Sequence, residues 1–158
     1  MKAATIHELK QELSGLPVKD LVEICQRLGK FKKENKELLT YLLYEANDED
    51  EYVRGIKKEI DQLFTEINLS HLYFAKKSLR KIVRLINKYC RYSGIKTTEL
   101  ELHLYFCNVL KKSGIPIRQN KVISNLFDAE LKKIKTVLDT LHEDLQYDYR
   151  KELIKLVE

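Results

Sequence analysis

Residues Ser70 to Gly94 read SHLYFAKKSLRKIVRLINKYCRYSG, and two independent patterns coincide in them. Turned by about 100° per residue, Leu72, Ala75, Leu79, Ile82, Val83, Leu85, Ile86, Tyr89 and Cys90 gather on one side of a helix, the side that faces a core. Lys76, Lys77, Arg80, Lys81, Arg84, Lys88 and Arg91 share the opposite side, over roughly 140° with no aliphatic residue among them. Tyr73 falls on this basic face and Tyr92 at its edge. The spacing predicts one long helix here, with Ser70 as N-cap and Gly94 at the left-handed position that closes it.

Charge singles out the same segment. The chain carries 29 Lys and Arg against 24 Asp and Glu, a formal net charge of +5. From Ser70 to Lys96 there are bases and no acid, whereas the chain before is slightly acidic and the chain after is balanced. Like charges at i,i+4 on a helix repel by about 0.2–0.5 kcal/mol per pair, so a stripe undiluted by Glu implies a negative partner.

The rest of the composition bounds the class. A chain of 158 residues, 44% hydrophobic, is long enough to enclose a core, and with two prolines and five glycines it is poor in turn residues. The expectation is an all-α protein, residues 1–158 forming a single helical domain of about seven to eight helices. Periodicity leaves two arrangements open, a compact bundle or a short stack of helical hairpins. No apolar run reaches about 18 residues and the opening MKAATIHELK is amphipathic, which predicts a cytoplasmic protein with no membrane partner. Cys25, Cys90 and Cys107 form no CxxC and sit among apolar neighbours, as buried thiols do.

Taken in order, Thr5 and Glu8 have the spacing of a capping box for a first helix that Ser14 and Gly15 end. Pro17 opens a second, with Val18, Leu21, Val22, Cys25 and Leu28 as its stripe and Gly29 as its stop. Leu38, Leu39, Tyr41, Leu42 and Leu43 give a third helix a broad face that predicts deep burial. Five carboxylates between Glu45 and Glu51 precede a fourth, marked by Tyr52, Ile56, Ile60, Leu63, Phe64 and Ile67. After the basic helix, Thr98 and Glu101 form a second capping-box pattern opening a segment that is apolar almost all round and therefore central. Glu99 to Phe106 also alternates as a half-buried strand would, but a lone strand leaves its backbone unpaired, and helix is the better reading. From Ser124, Phe127, Leu131, Ile134, Leu138, Leu141 and Leu145 step by four and three, and Tyr149, Leu153 and Leu156 continue this heptad-like seam.

Catalytic and metal chemistry find little support. Glu99, His103 and Cys107 share a helical stripe of metal-binding residue types, yet His103 lies where a hydrogen-bonded core histidine would. The acidic run lacks the glycine an EF-hand needs, and it reads as an exposed turn favouring the next helix through its dipole. No phosphate-cradling glycine loop, HExxH or GxSxG occurs, so neither an enzyme nor a cofactor or metal is expected.

What remains is a binding module. Lys76, Lys77, Arg80, Lys81, Arg84, Lys88 and Arg91, with Tyr73, are the expected contact residues for nucleic acid or an acidic protein surface, since bases interleaved with aromatic rings suit both phosphates and bases. Two acidic stretches, Glu45 to Glu51 and Asp139 to Asp148, are the candidates to cover the stripe from within the chain. The alternative is a scaffold assembling through its C-terminal heptad-like helix, as a homodimer or with a partner.

Overall fold

The computed structural model describes residues 1–157. The protein is all-α, with eight α-helices, one π-helical turn and no strand among the described residues. It divides into two compact units, residues 1–44 and 45–158.

The first unit holds α1 (Ile6–Ser14), α2 (Val18–Phe31), α3 (Lys33–Thr40) and the start of the π-helical turn Tyr41–Glu45. The Thr5–Glu8 capping box forms in full, each side chain satisfying the other's backbone amide, and Gly15 closes α1. Gly29 does not stop α2 as its composition suggests. The helix runs through it to Phe31, because the missing side chain admits α3: a Cβ on Gly29 would lie 3.1 Å from Leu39 Cδ1. Asn35 completes the helical hairpin by donating to the Leu28 carbonyl at 2.8 Å.

Burial in this unit departs from the sequence pattern. None of α1, α2 and α3 contains a buried residue, and Leu42 and Leu43 are exposed although their stripe predicts depth; Tyr41 alone is buried. Cys25 is exposed too, against the expectation of a buried thiol. A segment of this length has too little chain to enclose a core, so helical periodicity there produces an apolar face without a cover.

The second unit is built on α4 (Glu49–Thr65), α5 (Leu72–Ser93), α6 (Lys96–Lys112), α7 (Lys121–Leu138) and α8 (Glu143–Val157). α6 packs against all four others, which makes this unit a bundle around one helix rather than a one-dimensional stack. That position explains its composition: Leu100, Leu102, Leu104, Phe106, Cys107 and Leu110 are all buried, so the alternation in Glu99 to Phe106 belongs to a helix covered on nearly every side.

Further departures from the sequence reading lie in this unit. α5 starts at Leu72 with His71 before it, not at Ser70, because Asn68 Oδ1 accepts from both the Ser70 amide (2.9 Å) and its hydroxyl (2.5 Å) and holds Ser70 in a turn. α6 starts at Lys96, and Thr98 is a buried residue of its first turn whose hydroxyl donates to Glu49 Oε1 at 2.6 Å instead of capping. The C-terminal seam is broken into α7 and α8 across Asp139 to His142, where the Thr140 hydroxyl donates to the Val137 carbonyl at 2.6 Å and offers the backbone an alternative to the helix ladder. Gly94 does close α5 in the left-handed conformation, at φ 68°. Asp48 caps α4 by accepting from the Glu51 amide at 3.0 Å, with Glu49, Asp50 and Glu51 in the first turn, where the helix dipole favours them.

Candidate functional site

α5 supplies the site because its two faces have separate tasks. Ala75, Leu79, Ile82, Ile86 and Cys90 are buried and anchor the helix along its length. At 22 residues it is roughly 33 Å long. Of the expected contact residues, Lys77, Arg80, Lys81, Arg84 and Arg91 are exposed and Lys76 and Lys88 half-buried. Among the described residues, no carboxylate approaches within 4 Å of Lys76, Lys77, Arg80, Lys81, Arg84 or Arg91.

Neither acidic stretch neutralises these six side chains. Glu49 accepts from the Ser93 and Thr98 hydroxyls, Glu51 pairs with Arg54 at 2.7 Å, Asp144 lies 3.4 Å from His142 Nδ1 and Asp139 is 4.0 Å from Arg150. Arg84 is partly oriented by its own helix, with Nε donating to the Arg80 carbonyl at 3.3 Å. Arg91 lies in the last turn, where a cation also complements the helix dipole.

The stripe is not uniform. Lys88 sits over the rings of Tyr89 (5.0 Å) and Tyr92 (5.9 Å), a cation held by aromatic faces. Tyr89 is itself held by Glu59, to which its hydroxyl donates at 3.0 Å. At the opposite end, Tyr73 is 67% exposed and meets Phe74 edge to face at 5.4 Å, while Phe74 meets His71 at 6.0 Å. These three rings form an exposed aromatic cluster at the start of the basic helix.

Between α5 and the first turns of α7 runs a cleft of about 770 Å³, lined by Tyr73, Lys76, Lys77, Arg80, Val83 and Arg84 from α5 and by Val122 and Leu126 from α7. The structure thus brings five of the expected residues to one concavity and leaves Lys81, Lys88 and Arg91 outside it. Val83, placed by periodicity on the core face, is only half-buried and serves as cleft floor. The contribution of α7 carries no sequence signal: Leu126 stands outside the seam of Phe127, Leu131 and Ile134, and Val122 reads as part of a connector before Ser124, whereas α7 already begins at Lys121. The N-terminus of α7 is fixed by Asn120, whose side chain accepts from the amides of Val122 (3.0 Å) and Ile123 (3.3 Å). About two turns of α7 beyond the cleft, Lys133 donates to Asn87 and ties the two helices together.

A second polar feature lies in the core. His103 is fully buried and its Nδ1 pairs with Glu130 of α7, while Nε2 has no partner. Glu130 has no sequence signature, lying among exposed-looking charges of α7. The stripe of Glu99, His103 and Cys107 does not converge: Glu99 pairs with Lys96 at 3.0 Å, and no group of three metal-ligating side chains forms among the described residues. Burial, with Glu130 nearby, pushes the Cys107 thiol far above its usual range, so it stays protonated. No helix among the described residues is long and apolar enough to cross a membrane.

No family model, no curated protein and no solved structure matches the chain.

Proposed function

We propose that the protein is a non-enzymatic binding module whose α5 basic face engages nucleic acid. The observation that carries this reading is the set of six cations without a carboxylate within 4 Å, continuous with an exposed ring cluster at the helix start. Lys76 to Arg91 extends over roughly 22 Å, enough to follow several successive phosphates. Arg80, Arg84 and Arg91 present planar donor forks suited to phosphate oxygens, and the rings add faces on which bases stack. An acidic protein surface would use the charges but leaves the rings and the apolar cleft floor without a task.

Salt tests this reading. Bound phosphates release counterions, so log affinity falls linearly with log salt by about 0.7 to 0.9 for each phosphate neutralised. Replacing the exposed Arg80, Lys81 and Arg84 together by Gln should flatten that slope by about two to three units, with unfolding free energy moving by less than about 0.5 kcal/mol. Parent protein that binds neither RNA nor DNA at about 50 mM salt, where such attraction is strong, removes nucleic acid as the partner. A triple variant that instead loses thermal stability or dissociates from an assembly points to docking on an acidic protein face.

A further inference from the structure

We propose that the cleft between α5 and α7 is a nucleotide pocket, taking one unstacked base of a single strand while the flanking phosphates lie on Lys76, Lys77, Arg80 and Arg84. This rests on the nucleic-acid reading of α5 and narrows it to single strands. The cleft combines two chemistries that a bare basic patch does not. Its rim is cationic, and its floor is Val83, Val122 and Leu126 with the Tyr73 ring at one end. At about 770 Å³ it lies within the roughly 300–1,000 Å³ of clefts that bury small organic ligands.

A phosphate alone gains nothing from three aliphatic side chains, and burying them against it would strip the anion of water without replacement. A flat, largely apolar ring with an anionic group on either side satisfies both parts of the cleft at once. Duplexes keep that ring inside the stack and present phosphates and groove edges, whereas a single strand can turn a base outward at the cost of unstacking it. Tyr73 is placed to receive it, being exposed on one side and braced by Phe74 on the other. Lys81 and Arg91, outside the cleft, would carry the strand onward along α5.

The test compares a labelled oligo-thymidine of about 24 nucleotides with a GC-rich duplex of about 12 base pairs, equal in phosphate number, using the full chain and fluorescence anisotropy. The expectation is tighter binding of the strand by about tenfold, and loss of most of that preference in Tyr73→Ala, the size of one base stack. Leu126→Lys is the sharper variant, since it occupies the floor while adding a positive charge. Strand affinity should fall as duplex affinity holds or rises.

Equal affinity for strand and duplex, with Leu126→Lys raising both, would overturn the pocket and leave the α5 reading standing. Absence of binding to either would remove both. A polyglutamate peptide of matched charge binding as tightly as the strand would overturn the pocket in favour of an acidic protein partner. Should Leu126→Lys fail to fold, photocrosslinking of the unaltered protein to a bromouridine-substituted strand decides: adducts at Tyr73 or in the first turns of α7 are expected, and adducts confined to other elements would refute the pocket.

Discussion

α2 and α6 make an instructive pair, because the helix with the clean amphipathic pattern is uncovered and the helix without one is the centre of its unit. In α2, Val18, Val22, Ile24, Leu28 and Phe31 are all exposed; in α6, Leu100, Leu102, Phe106, Cys107 and Leu110 are buried on several sides at once. An apolar stripe states that a face is suited to burial, and whether anything covers it depends on how much chain is available nearby. The 44 residues of the first unit supply one helical hairpin and a short leading helix, while residues 45–158 supply α6 and the four helices packed on it. The same residue types therefore contribute little in one unit and most of the stability in the other.

The contrast is sharpest at single core positions. Phe106 is fully buried and meets Phe64 at 5.7 Å, so Phe106→Ala should cost about 3–5 kcal/mol in unfolding free energy, measured by denaturant titration of the second unit's signal. Leu28, half-exposed in α2, should lose under about 1 kcal/mol on the same change. A large loss at Leu28 would mean that the α2 face is covered in solution, and the comparison would fail.

A smaller effect is expected from the polar pair inside the bundle. Glu130→Ala leaves both ring nitrogens of His103 without partners in the core and should destabilise by about 1–3 kcal/mol. Restoring a hydrogen-bond acceptor with Glu130→Gln should recover part of that loss. A neutral result for Glu130→Ala would show that the pair contributes nothing to the packing of α6 on α7.

A graded effect, spread over several pH units, is read through titration. Burial, with Glu99 nearby, pushes the Cys90 thiol up from 9.0 to about 12. The unfolded chain therefore releases this proton from about pH 9 while the folded protein retains it, so stability falls as pH rises between about 9 and 12. The slope for one proton is at most about 1.4 kcal/mol per pH unit. Cys90→Ala should flatten the decline relative to the parent. Exposed Cys25, in the uncovered unit, should be alkylated well before Cys90 or Cys107 in the native protein, and equal rates at all three would contradict the burial difference between the units.

Much of the candidate site was legible along the chain. The two-sided pattern of Leu79, Ile82 and Ile86 against Arg80, Arg84 and Lys77 requires only that a helix has 3.6 residues per turn, and the Gly94 terminus requires only that glycine tolerates positive φ. Local rules failed where the helix start moved off the expected cap: the Ser70 amide and hydroxyl donate to Asn68, which holds Ser70 in a turn before α5 starts at Leu72, and α6 starts at Lys96, which puts Thr98 inside the first turn with its hydroxyl donating to Glu49.

The sequence by itself determined the all-α class, the segregation of charge on α5, the capping box of α1 and the acidic lead into α4, because each depends on residues within a few positions of one another. Tertiary structure decided which apolar stripes are covered, that α7 lends Val122 and Leu126 to a cleft with the basic rim, and that Glu130 meets His103. Those outcomes join residues dozens of positions apart, and helical periodicity fixes the direction of a side chain around its own axis without fixing which other helix stands opposite.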